Sequence, residues 1–182
     1  RTVTGVQTCA LPISDEKGVD ILMRAMQQVP EAKLIVAGGG AYRDVLEKQR
    51  IEWGIDNVSF VGSKYGDDLE ALFAGCRFMV VPSIWHENFP YVMMEAFARG
   101  KAVLGSDKGG IPEYITEGET GFVFPSHDSA TLAQQIKQLW SNPEEAARMG
   151  RNAKAFADEH FNDESFYKRL LEIYSDALNG KS

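Results

Sequence analysis

The sequence predicts a doubly wound parallel α/β sheet. Three observations carry that expectation. Helix-like and strand-like segments alternate from Asp15 to Phe124. The strand-like runs are continuously apolar rather than alternating, as strands covered on both faces are. The runs at 34–37, 58–61, 78–81 and 102–104 are followed by Gly38, Gly62, Pro82 and Gly105, which mark turns. In such a sheet, ligands sit outside the carboxyl ends of the strands.

Each element has its own local reason. Residues 17–29 carry Val19, Leu22, Met23 and Met26 at helical spacing, and Pro30 stops the helix. The strand at 34–37 runs into a tight turn of Gly38, Gly39 and Gly40. Residues 41–53 read as a helix closed by Gly54, followed by a strand at 58–61. Residues 67–75 form a short helix, with Asp67 and Asp68 as its cap and a solvated acid. A strand at 78–81 leads to a helix at 91–99, ended by Gly100. A strand at 102–104, a short helix at 111–116 and a last strand at 122–124 complete the alternation. The remainder is helical. Leu132, Ile136, Leu139 and Trp140 form one apolar stripe. Asn142, Pro143, Glu144 and Glu145 read as a cap, a first-turn proline and two acids on the positive end of the helix dipole. Tyr167, Leu170, Leu171, Tyr174 and Leu178 form a second stripe.

Composition bounds the function. A chain of 182 residues suits one domain or one half of a two-domain enzyme. With 44% hydrophobic and 25% charged residues it is neither disordered nor low in complexity. A net charge of -7 argues against binding nucleic acid through its phosphates. No apolar run reaches the roughly 18 residues of a membrane-spanning helix. Cys9 and Cys76 supply neither a disulfide framework nor a zinc site. Cys76 reads as a core residue. A reducing cytoplasm is the expected compartment, possible contact with the inner membrane surface being left to a missing half.

The first thirteen residues stand apart. VTGVQTCALPI at 3–13 has neither helical nor clean strand period, and no signal-peptide features. It resembles the translation of a sequencing adapter. Residues 1–13 are therefore expected to be non-native, and the domain to occupy 14–182. The competing reading is an ordinary N-terminal strand.

The most informative stretch is 82–110, PSIWHENFPYVMMEAFARGKAVLGSDKGG. It follows a buried strand, so 83–90 lies at the binding edge of the sheet. Asn88 is expected to cap the next helix, with Pro90 in its first turn. Amides at a helix start have no internal partners and carry partial positive charge, which suits a phosphate. Glu95 sits among Val92, Met93, Met94, Ala96 and Phe97. A carboxylate buried there would need a partner, such as a ligand's hydroxyl pair. The competing reading places Glu95 on the one exposed strip of a partly buried helix.

Glu87 and Glu95 are separated by seven residues, which resembles the Glu-x7-Glu motif of retaining GT-B glycosyltransferases. Other segments resemble family 4 glycosyltransferase signatures in the same order. They are Lys17-Gly18, Ala37-Gly38-Gly39-Gly40, Phe60-Val61-Gly62, Val81-Pro82-Ser83, Glu95-Ala96-Phe97-Ala98 and Gly109-Gly110-Ile111-Pro112-Glu113. The likeness runs from Ser14 to Leu178. It implies the C-terminal, Rossmann-like donor-binding half of a GT-B enzyme.

That resemblance assigns roles. Glu95 would hold the ribose hydroxyls of a nucleotide diphosphate-sugar. Glu87 would approach the donor sugar or its phosphate linkage. Lys17 would offset charge on the departing diphosphate. The amides of Asn88, Phe89 and Tyr91 would meet sugar and diphosphate, and the backbone around Gly62, Ser63 and Lys64 would face the base. Trp85, His86, Gly109 and Gly110 would wall the donor sugar. Trp85 and His86 are more often packing or loop residues, and turn geometry alone explains Gly109 and Gly110 about as well. UDP and GDP are the leading nucleotides. No Asp-x-Asp is present, and neither a metal nor a separate cofactor is expected.

The sequence also departs from the family pattern. Leu11 and Pro12 stand where a Gly-Arg pair would supply a second diphosphate contact. Asn88 stands after the first Glu where the family usually has Gly, and Ala102 replaces a usual Pro. The resemblance implies that an N-terminal acceptor domain belongs with this half, and that domain is expected to be missing from the chain. The chain by itself is expected to be inactive, and the stripe of Tyr167, Leu170, Leu171, Tyr174 and Leu178 partly exposed. The parent is expected to move a sugar onto a hydroxyl with retention, by positioning and leaving-group stabilisation rather than a protein nucleophile. The alternatives are a non-catalytic nucleotide-binding module, a sugar phosphorylase or a nucleotide-sugar epimerase.

Overall fold

A computed structural model describes residues 5–9 and 13–178. Its strands are β1 (Gly5–Cys9), β2 (Leu34–Ala37), β3 (Val58–Gly62), β4 (Cys76–Val81), β5 (Ala102–Ser106) and β6 (Gly121–Phe124). They form one parallel sheet in the order β3-β2-β1-β4-β5-β6. The α-helices are α1 (Val19–Gln27), α2 (Arg43–Glu52), α3 (Gly66–Gly75), α4 (Tyr91–Ala98), α5 (Ser129–Ser141), α6 (Pro143–His160) and α7 (Asp163–Leu178). Two short 3-10 turns, Asp15–Lys17 and Ile111–Tyr114, complete the set. The predicted fold class is the observed one.

Successive strand residues feed two cores on opposite faces of the sheet, as continuous apolar strands require. Phe78 and Val80 of β4, with Ala102 and Leu104 of β5, join α1 and α5. Met79, Val81 and Val103 join α3, α4 and α6. Full burial of a side chain such as Phe78 or Phe97 contributes about 1.5–3 kcal/mol. The stripe of Leu132, Ile136 and Leu139 is buried, and Trp140 stacks under Arg77 at 4.3 Å. Asn142 caps α6 as expected, accepting from the Glu145 amide at 3.1 Å.

The chain order reverses between β1 and β4. β1 runs on to β2 on one side, while β4 lies on its other side. That crevice, at the carboxyl ends, is where ligands of such sheets bind.

Two local readings differ from the structure, and a third falls on residues it does not describe. The pattern before Ser14 announces no strand, yet Gly5–Cys9 is the central one, with Val6 fully buried. Gln7 and Thr8 interrupt the apolar run and so hide it. Leu11 and Pro12, where the second diphosphate contact would stand, lie outside the described residues. Helix α3 starts at Gly66 with Tyr65 in the cap position, so neither Asp67 nor Asp68 caps it.

Helix α7 keeps its apolar stripe largely uncovered. Tyr167, Leu171, Tyr174 and Leu178 are exposed, and Leu170 is half-buried. Among the described residues, no helix is long and apolar enough to cross a membrane.

Candidate functional site

The exit of β4 is tied to the turn that follows β1. The Ile84 amide donates to the Glu16 carbonyl at 2.9 Å, and the buried Ser83 Oγ lies 3.3 Å from the same oxygen. Gly18 makes this approach possible. Its φ is 63°, and a Cβ there would lie 2.0 Å from the Pro82 carbonyl oxygen. Lys17 is thereby held over the β4 loop, where its Nζ donates to Glu87 Oε1 at 2.5 Å. The Ser83 hydroxyl donates to the same carboxylate oxygen at 3.1 Å. Both charged side chains are sheltered but reachable, at 26% and 20% exposure.

Gly18→Ala should therefore destabilise the chain by roughly 2–4 kcal/mol, since left-handed strain adds to a backbone clash. An unchanged urea midpoint would count against this packing.

The pair opens onto a cavity of about 410 Å³, within the range of small-molecule sites. Of the sequence-predicted residues, Lys17, Lys64, Glu87, Phe89, Tyr91 and Glu95 line it. Tyr65, Leu69 and Val92 line it too, and no motif marked them. Ser83, which orients Glu87, stood inside a quoted signature without being assigned a role.

Helix α4 begins differently from the expectation. Pro90 is its cap residue, and no side chain caps it. The Pro90 carbonyl accepts from the Met93 amide at 2.9 Å, so the helix counts from Tyr91. Asn88 is thus not the cap, and Pro90 is not in the first turn. The amides of Asn88, Phe89 and Tyr91 donate to nothing among the described residues. They remain a candidate anion contact at a positive helix end.

Glu95 lies on the exposed strip of α4. The helix buries Met93, Met94, Ala96 and Phe97 and leaves Tyr91, Glu95 and Ala98 outward. The argument from a buried, costly carboxylate is therefore corrected. Among the described residues the Glu95 carboxylate makes no hydrogen bond or salt bridge; Arg99, whose guanidinium donates to the Glu95 carbonyl at 2.9 Å, attracts the carboxylate through space. The carboxylate is free to accept from a ligand in the cavity.

The other predicted residues stand around this centre. Phe89 is anchored by edge-to-face contacts with Tyr91 at 5.1 Å, Tyr114 at 5.6 Å and Phe161 at 6.2 Å. Lys64 Nζ lies 3.6 Å from Asp68 Oδ2. The Gly62 carbonyl accepts from the Gly38 amide at 2.9 Å, and a Cβ on Gly39 would approach Ser63 Oγ to 3.1 Å. Gly62 and Ser63 thus stand beside the cavity, not in its lining. Trp85 and His86 are exposed on the β4 loop, also outside the lining.

Gly109 and Gly110 support the Glu87 loop from beneath. The Gly110 amide donates to the Glu87 carbonyl at 2.7 Å and is not free for a ligand. A Cβ at Gly109 would lie 2.3 Å from that carbonyl oxygen.

Cys76 is buried, and its thiol donates to the Phe73 carbonyl at 3.3 Å. Desolvation pushes the thiol up to about 11, so it is no nucleophile near neutral pH. Among the described residues, no group of three or more His, Cys, Asp or Glu side chains is placed to hold a metal ion.

The geometry has counterparts in known proteins. The family profile described as Glycosyl transferases group 1 matches residues 12–156. The D-rhamnosyltransferase WbpZ of Pseudomonas aeruginosa is 35% identical over 141 residues, 76% of this chain and 37% of that protein. The crystal structure of Anabaena Alr3699/HepE in complex with UDP is similar, with a TM-score of 0.86 and 27% identity. The match covers 96% of this chain and 49% of that one. The C-terminal domain of a Francisella tularensis glycosyl transferase group 1 family protein (LpcC) shares the fold at 20% identity and a TM-score of 0.76. There the match covers 88% of this chain and 89% of that one. The chain spans less than half the length of WbpZ and of Alr3699/HepE.

Proposed function

This chain belongs to the glycosyl transferases group 1 family, and on that premise we propose that it is the nucleotide-sugar-binding half of a retaining glycosyltransferase. The observation that carries the reading is one cavity, at the crevice between β1 and β4, that joins Lys17, Glu87 and Glu95 to the free amides of the α4 start. A cation and uncommitted amides suit a diphosphate. A carboxylate with no hydrogen bond of its own suits the paired hydroxyls of a ribose. UDP and GDP are the proposed carriers.

The residues divide the work. The Lys17 ammonium has three donors, of which Glu87 takes one, leaving two for phosphate oxygens. As the bond from sugar to diphosphate breaks, charge grows on the leaving oxygen, and Lys17 with the α4 amides stabilises it without rearranging. Glu87, held by Ser83 and Lys17, orients the ammonium and borders the sugar. No protein nucleophile is proposed. The acceptor hydroxyl would come from a preceding domain, against which the exposed face of α7 would pack. This chain alone is then inactive. We assign the parent to the cytoplasm and treat residues 1–13 as foreign sequence.

Calorimetric titration of the whole chain with UDP and GDP tests the reading. One nucleotide should bind, and Glu95→Ala should weaken it about tenfold, the scale of a hydrogen bond to a charged group. A folded chain that binds neither would overturn it.

A further inference from the structure

We propose that Tyr65 is the stacking platform for the base of the bound nucleotide; the proposal rests on the donor-binding reading above. Tyr65 precedes α3 in extended backbone, with φ -140° and ψ 160°. It lines the cavity, yet is 70% exposed. Among the described residues its ring meets no other ring and its hydroxyl makes no hydrogen bond. A large aromatic side chain left uncommitted at the mouth of a cavity has apolar area to offer a ligand.

The other aromatics at this cavity are committed. Tyr91 meets Phe89 edge to face, and Phe89 continues to Tyr114 and Phe161. They hold the β4 loop and the α4 start in place. Tyr65 makes no such ring contact among the described residues.

Position decides which part of the ligand Tyr65 meets. Lys17 follows β1 and marks the diphosphate end. Glu95 marks the ribose. Tyr65 follows β3, two strands away from β1 across β2, so it lies toward the end left for the base. Leu69 of α3 lines the same cavity. Together they present an aromatic face and an aliphatic floor, the surface a planar base prefers. The Lys64 ammonium beside them is engaged by Asp68, so the ring is the larger free feature.

Stacking predicts a loss that depends on the base and not on the phosphates. In calorimetric titrations of the whole chain, Tyr65→Ala should weaken, about tenfold, whichever of UDP and GDP the chain binds. Tyr65→Phe should keep wild-type affinity, because the ring and not the hydroxyl is used. Inorganic pyrophosphate, in competition with UDP, should be held equally by all three chains. With ring-labelled tyrosine, the Tyr65 NMR signals should move on adding UDP and stay in place on adding pyrophosphate.

Tyr65→Ala with unchanged affinity for that nucleotide overturns the proposal alone. So does an equal loss for pyrophosphate, which would mean a structural role. Absence of nucleotide binding by the wild-type chain overturns the donor reading and this inference with it. The exposed position makes misfolding of the variants a minor concern, and a circular dichroism spectrum checks it.

Discussion

Deleting residues 1–13 should abolish cooperative folding. The deletion removes β1, the strand that pairs with both β2 and β4. It would split the sheet into β3-β2 and β4-β5-β6 and bare an edge on each part. Unpaired edges inside a fold lose backbone hydrogen bonds worth about 1 kcal/mol each and invite association. Val6 and Ile13, both buried, would leave the core, at roughly 1.5–3 kcal/mol each. The sum is comparable with a whole domain's stability of about 5–15 kcal/mol. Circular dichroism and urea unfolding of residues 14–182 check this. A single cooperative transition at the whole chain's midpoint would show that β1 is dispensable. A different strand with an apolar residue at the Val6 position should restore folding. The slot therefore needs a strand whether or not residues 1–13 are native.

Lys17→Met should cost about a hundredfold in nucleoside diphosphate affinity while barely changing stability. The variant removes a charge-assisted contact, about 1.5–3 kcal/mol by itself. It also leaves Glu87 facing the phosphates uncompensated, and the two negative charges repel. Stability changes little because both partners are partly exposed, and pairs of that kind contribute about 0–1 kcal/mol. Glu87 keeps its bond from Ser83 in the variant, so the loop should hold its shape. Adding Glu87→Gln to Lys17→Met should recover about fivefold by removing the repulsion, a coupling that a double-mutant cycle reads directly. Titration with UDP and GDP, alongside urea melts, gives both numbers. Wild-type affinity in Lys17→Met would remove Lys17 from the site.

Much of this protein is legible one segment at a time. Period and punctuation located five of the six strands and the first four α-helices to within a few residues, and marked the last three by an apolar stripe or a start signal, because they report local backbone preference. Only β1 was hidden. Its polar Gln7 and Thr8 break the apolar run that marked the other strands. The candidate site was legible wherever it rides on a motif. Six of the predicted residues line one cavity because β4 and its loop fall at the carboxyl edge in any parallel sheet of this kind. The expected role of Asn88 failed because a cap is decided by which carbonyl the first amides reach, and here it is that of Pro90.

By itself, then, the sequence determined the fold class, the order of elements, the edge on which the site lies and the family resemblance. These follow from spacing along the chain. Only the tertiary structure decided that Lys17 meets Glu87 across a separation of 70 residues, that Glu95 faces outward, and that Tyr65 stands free at the cavity. Periodicity says that a helix has a buried face. It does not say which distant side chain arrives opposite the other face, because that depends on how helices from both sides of the sheet pack against it.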